Sequence, residues 1–232
     1  FPTKERTSAS RSSAGQLHSE MLDGEVARGV QQLCQQTDST AFMVLLAATQ
    51  SFLQNLNGQT NFAVGSPVSR RQREEVESII GLFVNTVVIP SDAQGGSDER
   101  FVDVVERVRS TCLGAFEHQA IPFDVLVEEL DVERSTRTTP LFQVMFSCRS
   151  KEEKRGRDGL IAEDFPLGDA GAQTDLVFDV SVLDDGVSVQ AVTATDIFES
   201  STAAALVSNY AAFVSRVVCQ PTEALVSMPL AT

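Results

Sequence analysis

The sequence predicts an α/β layered domain with a mixed sheet and flanking helices. Segments with helical spacing of apolar residues are interleaved with short β-rich segments along the chain. Two alternating runs, 175–183 and 187–195, meet at Asp184-Asp185-Gly186, a hairpin signal. Between them and the N-terminus lies Ile80-Gly81-Leu82-Phe83-Val84-Asn85-Thr86-Val87-Val88-Ile89, a β-rich apolar run with one amide at its centre. A buried Asn finds partners or costs about 1–3 kcal/mol. Asn85 is therefore either locked structurally or faces something polar.

In chain order, residues 1–16 are polar and rich in Ser, Arg and Thr, which reads as a linker or an arm on a neighbour. Residues 16–22 form a first strand. From 24 to 36, Val26, Val30, Leu33 and Cys34 recur at helical spacing. Asp38, Ser39 and Thr40 offer N-caps for a second helix carrying Phe42, Leu45, Leu46, Thr49, Phe52, Leu53 and Leu56, which ends at Asn57-Gly58. Residues 61–68 read as a short strand containing Gly65, and 69–77 as a charged loop. The Asn85 strand should stop at Pro90, and Ser97 should cap a helix over roughly 98–117. Pro122 suits the first turn of a short helix with Phe123, Leu126, Val127 and Leu130 inward. Residues 141–148 are dense in β-formers and read as a buried strand; 149–158 is a charge-rich loop and 159–173 is irregular. The hairpin follows, then a helix capped at Ser200 or Ser201 and running through Val218. The total is about six strands and five helices, without internal repeats.

At 232 residues the chain can bury a sizeable core, and 42% hydrophobic with 22% charged residues is ordinary for a soluble domain. A net charge of −14 argues against nucleic acid and against an anionic membrane surface, because phosphate binding needs clustered Lys and Arg. No apolar run is expected to span a membrane. The N-terminus has no apolar signal segment, so the expectation is cytoplasmic. Cys34, Cys112, Cys148 and Cys219 are scattered without a CxxC pair, and His18 and His118 lie far apart. Neither disulfides nor a metal site are expected.

Beyond Asn85, two further segments stand out: His118-Gln119-Ala120-Ile121-Pro122-Phe123, and Thr139-Pro140-Leu141-Phe142-Gln143-Val144-Met145-Phe146. Each has a plain structural reading. His118 follows a long helix, where a cation at the C-terminus meets the helix dipole favourably. Gln143 reads as a sheet-packing group. Arg70, Arg71 and Arg73 read as a solvated loop, with docking of an acidic partner as the alternative. There is no GxSxG elbow, P-loop or strand-following GxGxxG.

In this order and spacing the three segments resemble the later core motifs of condensation domains from nonribosomal peptide synthetases. The similarity extends to Val64-Gly65-Ser66-Pro67-Val68, to Phe1-Pro2-Thr3 at the start and to Met228-Pro229-Leu230 at the end. It implies the chloramphenicol-acetyltransferase-like fold, two lobes in a V with a tunnel between them, and covers only the second half of such a domain. On that resemblance residues 17–232 are the C-terminal lobe. The family's His-His and Asp-Gly signature is absent, so no catalytic residue is expected in this chain. Its second His, which assists attack of an acceptor amine on a donor thioester, would sit on an N-terminal lobe.

Carried over by residue, the resemblance places Asn85, Phe83 and Gln143 at the substrate tunnel in positioning roles. His118, Gln119, Pro122, Phe123 and Phe142 would shape the lobe interface. Phe101, Arg70 and Arg71 would help dock a carrier. No cofactor binds directly; the phosphopantetheine arms of peptidyl carrier proteins tether the substrates. The expected partners are those carriers and the N-terminal lobe. One departure is visible: the family's Ser-Arg before Pro-Leu-Phe-Gln is replaced by Arg137-Thr138-Thr139, which displaces the guanidinium by one position. The alternatives are a non-catalytic lobe that binds carriers, and an acyltransferase of the same fold using coenzyme A.

Overall fold

The computed structural model describes residues 3, 10–71, 74–92, 99–132, 135–150 and 171–225. Its elements are β1 (Gly15–Leu22), α1 (Gly24–Thr37), α2 (Ala41–Asn57), β2 (Asn61–Ser69), α3 (Glu74–Glu77) and β3 (Val84–Asp92). They continue with α4 (Phe101–Glu117), α5 (Phe123–Glu129), β4 (Val144–Ser150), β5 (Leu176–Val182), β6 (Val187–Ala194) and α6 (Ser200–Cys219). The six strands form one sheet in the order β1-β6-β5-β4-β2-β3. β4 runs parallel to both β2 and β5, and the other pairs are antiparallel.

Register assigns the two faces. Val64 pairs with Val144 and Ile89, and Val144 pairs with Leu176. Because side chains alternate along a strand, Val64, Ile89, Val144, Phe146, Leu176, Phe178 and Val180 share one face, and all are buried. Helices α1, α2, α4 and α6 supply the rest of that core with Val30, Leu45, Phe52, Phe101, Val105 and Val214. At its centre the fully buried Tyr210 stacks on Phe178, with ring centroids 4.3 Å apart, and meets the edge of Phe52 at 5.3 Å. Its hydroxyl shares a 2.9 Å hydrogen bond with Thr49 Oγ1, which satisfies a polar atom that burial would otherwise strand. On the opposite face stand Pro67, Thr86, Met145, Val177 and Val192 around a cavity, and Leu17 and Met21 of β1 are 48% and 63% exposed.

Local chemistry explains the element ends. Asp23 Oδ1 accepts from the amides of Glu25 (3.0 Å) and Val26, and Thr40 Oγ1 accepts from Met43 N–H, so both helices start on side-chain caps. At the β5–β6 turn, a Cβ on Gly186 would lie 2.1 Å from the Leu22 carbonyl oxygen, so the hairpin meets β1 only through a glycine.

Several expectations are corrected. β3 starts at Val84 rather than Ile80, and it passes through Pro90, which pairs with Ala63. β3 is an edge strand, where a residue without N–H loses no ladder bond on its outer side. The charged loop contains a helical turn, α3. β4 starts at Val144 rather than 141 because Leu141 takes a left-handed φ of 69°. α4 begins at Phe101 with Arg100 at its N-cap, where the Arg100 guanidinium donates two bonds to the Asp103 carboxylate. α6 is long and apolar enough to cross a membrane by length and composition, but Leu206, Tyr210, Val214 and Val217 bury one face of it in the core. The expected arm is partly built in, since β1 already includes Gly15 and Gln16. Ser97, Arg73, Phe1-Pro2, Met228-Pro229-Leu230 and most of the 149–173 stretch lie outside the described residues.

Candidate functional site

Three segments separated in sequence meet at the N-terminal end of β3. Asn85 is 8% exposed there, and its amide is fully engaged on the nitrogen side. Nδ2 donates to the carbonyls of Gln119 (2.9 Å) and Ile121 (2.7 Å), while Oδ1 accepts from Phe123 N–H (3.2 Å). An amide has two N–H donors, and both are taken by the loop between α4 and α5. Asn85 thus fixes where that loop and the start of α5 stand, and its remaining capacity is an acceptor on Oδ1.

The same loop carries Phe123, whose ring meets the Phe142 ring at 5.5 Å. Phe142 is buried, and its ring occupies the space a side chain on Gly65 would need: a Cβ there would lie 2.4 Å from the ring. Gly65, Phe142, Phe123 and Asn85 therefore form one packed series from β2 to β3. Of the expected residues, the structure unites Asn85, Gln119, Phe123 and Phe142, and Pro122 stands at the N-cap of α5. Gln143 is exposed and its Nε2 donates back to the Thr139 carbonyl (3.1 Å). His118 is exposed at the C-cap of α4, with Nδ1 2.9 Å from the Gly114 carbonyl oxygen.

The connection between β2 and β3 is organised by Arg71. Its Nη1 donates to the carbonyls of Val76 (2.6 Å), Ile79 (2.9 Å) and Glu77 (3.3 Å), and Nη2 donates to Gly81 (3.0 Å). The guanidinium carbon lies 4.5 Å from the centroid of the Phe83 ring. A planar cation of five donors suits such a fan of carbonyls and an aromatic face. Arg71, expected on a carrier-docking surface, is engaged by the carbonyls of its own loop. Phe101, expected there too, is fully buried at the start of α4. Arg70 is exposed and lines a cavity.

The loop held by Arg71 presents Ile80 and Leu82 to solvent, at 101% and 90% exposure. Leu82 and Val84 form the wall between two cavities. One, of about 510 Å³, is lined by Arg70, Val76, Phe83, Gln119 and Ala120; the other, of about 620 Å³, lies over the open sheet face. On that face Asp179 accepts an ion pair from Arg149, so the carboxylate is not left uncompensated. Nucleophilic thiol chemistry is disfavoured. Burial pushes Cys112 and Cys148 up to about 12, and it also raises Cys34 and Cys219, so thiolate is scarce near neutral pH. Among the described residues no group of His, Cys, Asp or Glu is placed to hold a metal.

Sequence reasoning did not single out Gly65 as a contact or Arg71 as a loop hub. A glycine inside an apolar strand was the available signal for the first. Nothing local distinguishes Arg71 from Arg70, since what separates them is the path of the following ten residues.

Comparison with known proteins matches this arrangement to one family. The model of the condensation domain matches residues 1–232. The chain is 35% identical to a protein of the linear gramicidin synthase from Brevibacillus parabrevis, over 99% of its own length and 3% of that protein's. The structure superposes on that of the X-domain in complex with OxyB from teicoplanin biosynthesis with a TM-score of 0.89, at 21% identity, covering 100% of this chain and 51% of that one. It superposes on a four-domain nonribosomal peptide synthetase bound to AMP and glycine with a TM-score of 0.82, at 20% identity, over 97% of this chain and 18% of that one. The chain thus spans a small fraction of these synthetases and about half of the X-domain chain. Its mixed six-stranded sheet with flanking helices is the chloramphenicol-acetyltransferase-like fold, and the chain belongs to the condensation-domain family.

Proposed function

We propose that this chain is the C-terminal lobe of a peptide-bond-forming condensation domain. Its role is to shape the place where a carrier-tethered donor thioester meets an acceptor amine. The observation that carries the reading is the cavity of about 620 Å³ on the open sheet face, bordered by a rigidly held loop whose Ile80 and Leu82 are almost fully exposed. Apolar side chains presented this way on a soluble protein mark an interface. The second lobe of the domain is the partner that fits them. In this reading the lobe contributes by holding reactants, since orientation fixed in advance can supply about 7–11 kcal/mol of a bimolecular barrier. Proton transfer would come from a His-His segment on the other lobe, because this sequence has only His18 and His118. The substrates would arrive on the phosphopantetheine arms of peptidyl carrier proteins.

The test is reconstitution. This chain and a segment carrying the His-His and Asp-Gly signature are combined, and donor and acceptor are loaded on carriers. The expected result is an amide product, detected by mass spectrometry, only when both are present. Product formed without this chain, or none with both, overturns the reading. A second reading is a lobe that binds partner proteins without making bonds. It is supported by the superposition on an X-domain that was solved in complex with another protein. Carrier binding without amide formation in the same experiment would select it.

A further inference from the structure

The segment before β1 is held by a clasp that the reading above does not use. Arg11 is half-buried, and its guanidinium bridges two distant turns. Nη1 donates to Thr139 Oγ1 (3.0 Å) and Nη2 donates to the Ala172 carbonyl. The flanking backbone adds Arg11 N–H to the Thr136 carbonyl (3.0 Å) and Ala172 N–H to the Ser13 carbonyl (2.9 Å). Ala14 and Gly171 form an antiparallel bridge, and Ser12 N–H donates to the Asp196 carboxylate (3.1 Å).

One of these turns borders the larger cavity, and the other leads into its floor. Ala172 lies between Gly171 and Gln173, which line it, and Thr139 leads into Phe142 and then Met145 and Ser147 of its floor. The guanidinium that meets the turn before Pro140 is therefore supplied by a residue 128 positions earlier. A guanidinium offers two parallel donors in a fixed plane, and an ammonium on a flexible stem does not. Lys at position 11 could hold one turn at a time.

We infer that Arg11 is a positioning residue, which sets the rim of the cavity by tying the turn before β4 to the strand entering β5. This rests on the condensation reading of that cavity. In a full-length chain carrying both lobes, R11A is expected to lower kcat for amide formation about tenfold with KM for the tethered substrates little changed, because the reactants are held less accurately. R11K should recover part of that loss. Amide exchange at Ala172 should accelerate in R11A, a readout independent of turnover. Wild-type kcat in R11A at temperatures well below its melting midpoint overturns the inference, and so does unchanged exchange at Ala172. A wild-type chain that forms no amide overturns the condensation reading instead, and the exchange measurement still decides the clasp.

Discussion

Asn85 shows how one side chain can tie a strand to a distant loop. Its three hydrogen bonds all end on backbone atoms of 119–123. N85A should destabilise the fold by about 1–3 kcal/mol, since three partly buried backbone groups lose their partner. Urea denaturation would read that loss, and exchange at Phe123 N–H would localise it. N85D keeps the acceptor but loses both donors, so it should behave like N85A; wild-type stability in N85D would contradict the assignment of Nδ2. Gly65 makes the complementary case. G65A places a methyl against the Phe142 ring and should cost about 1–3 kcal/mol through overpacking. Pairing it with a smaller residue at 142 should recover part of that cost, and a double-mutant cycle on the melting midpoint would measure it.

At the scale of elements, the β2–β3 connection depends on Arg71 more than on its own short helix. α3 is four residues long and cannot hold itself together. Four carbonyls converge instead on one guanidinium. R71A should make the loop markedly more sensitive to limited proteolysis while leaving the helical core intact. R71K should rescue little, because a single ammonium cannot span the fan from Val76 to Gly81. Equal cleavage rates for wild type and both variants would show that the loop is held elsewhere. The helices and the hairpin were readable because their signals are local: Val26, Val30 and Leu33 repeat at helical spacing, and Asp184-Asp185-Gly186 separates two alternating runs. The start of β3 was not readable. Ile80, Leu82 and Val84 look like strand residues by composition, yet Ile80 and Leu82 belong to a surface loop. Composition cannot tell an apolar residue that packs inside its own chain from one that projects out of it.

For the whole molecule, the core fixes the response to alkali. Tyr210, Cys112 and Cys148 are buried as neutral groups, and desolvation raises all three above their ordinary values. The folded chain therefore keeps protons that the unfolded chain releases. The stability they contribute is fully present below pH 9 and is lost as pH rises from there towards 12. Urea midpoints measured across that interval should fall steadily, and replacing Cys112 and Cys148 by Ala should flatten the fall even if it lowers the midpoint at neutral pH. A wild-type midpoint constant to pH 12 would contradict the burial of these groups.

Taken alone, the sequence determined the class of fold, the order of its elements and the three segments that mark the family, all of which reside in local spacing and residue type. The tertiary structure alone decided what those residues do to one another. It committed both donors of Asn85 to a loop, buried Phe101, engaged Arg71 and left Arg70 lining a cavity, and brought Arg11 to Thr139 and Ala172. The reason is physical. Periodicity is set by the geometry of a few consecutive residues, whereas a hydrogen bond across more than a hundred residues exists only once packing has brought its two ends within about 3 Å.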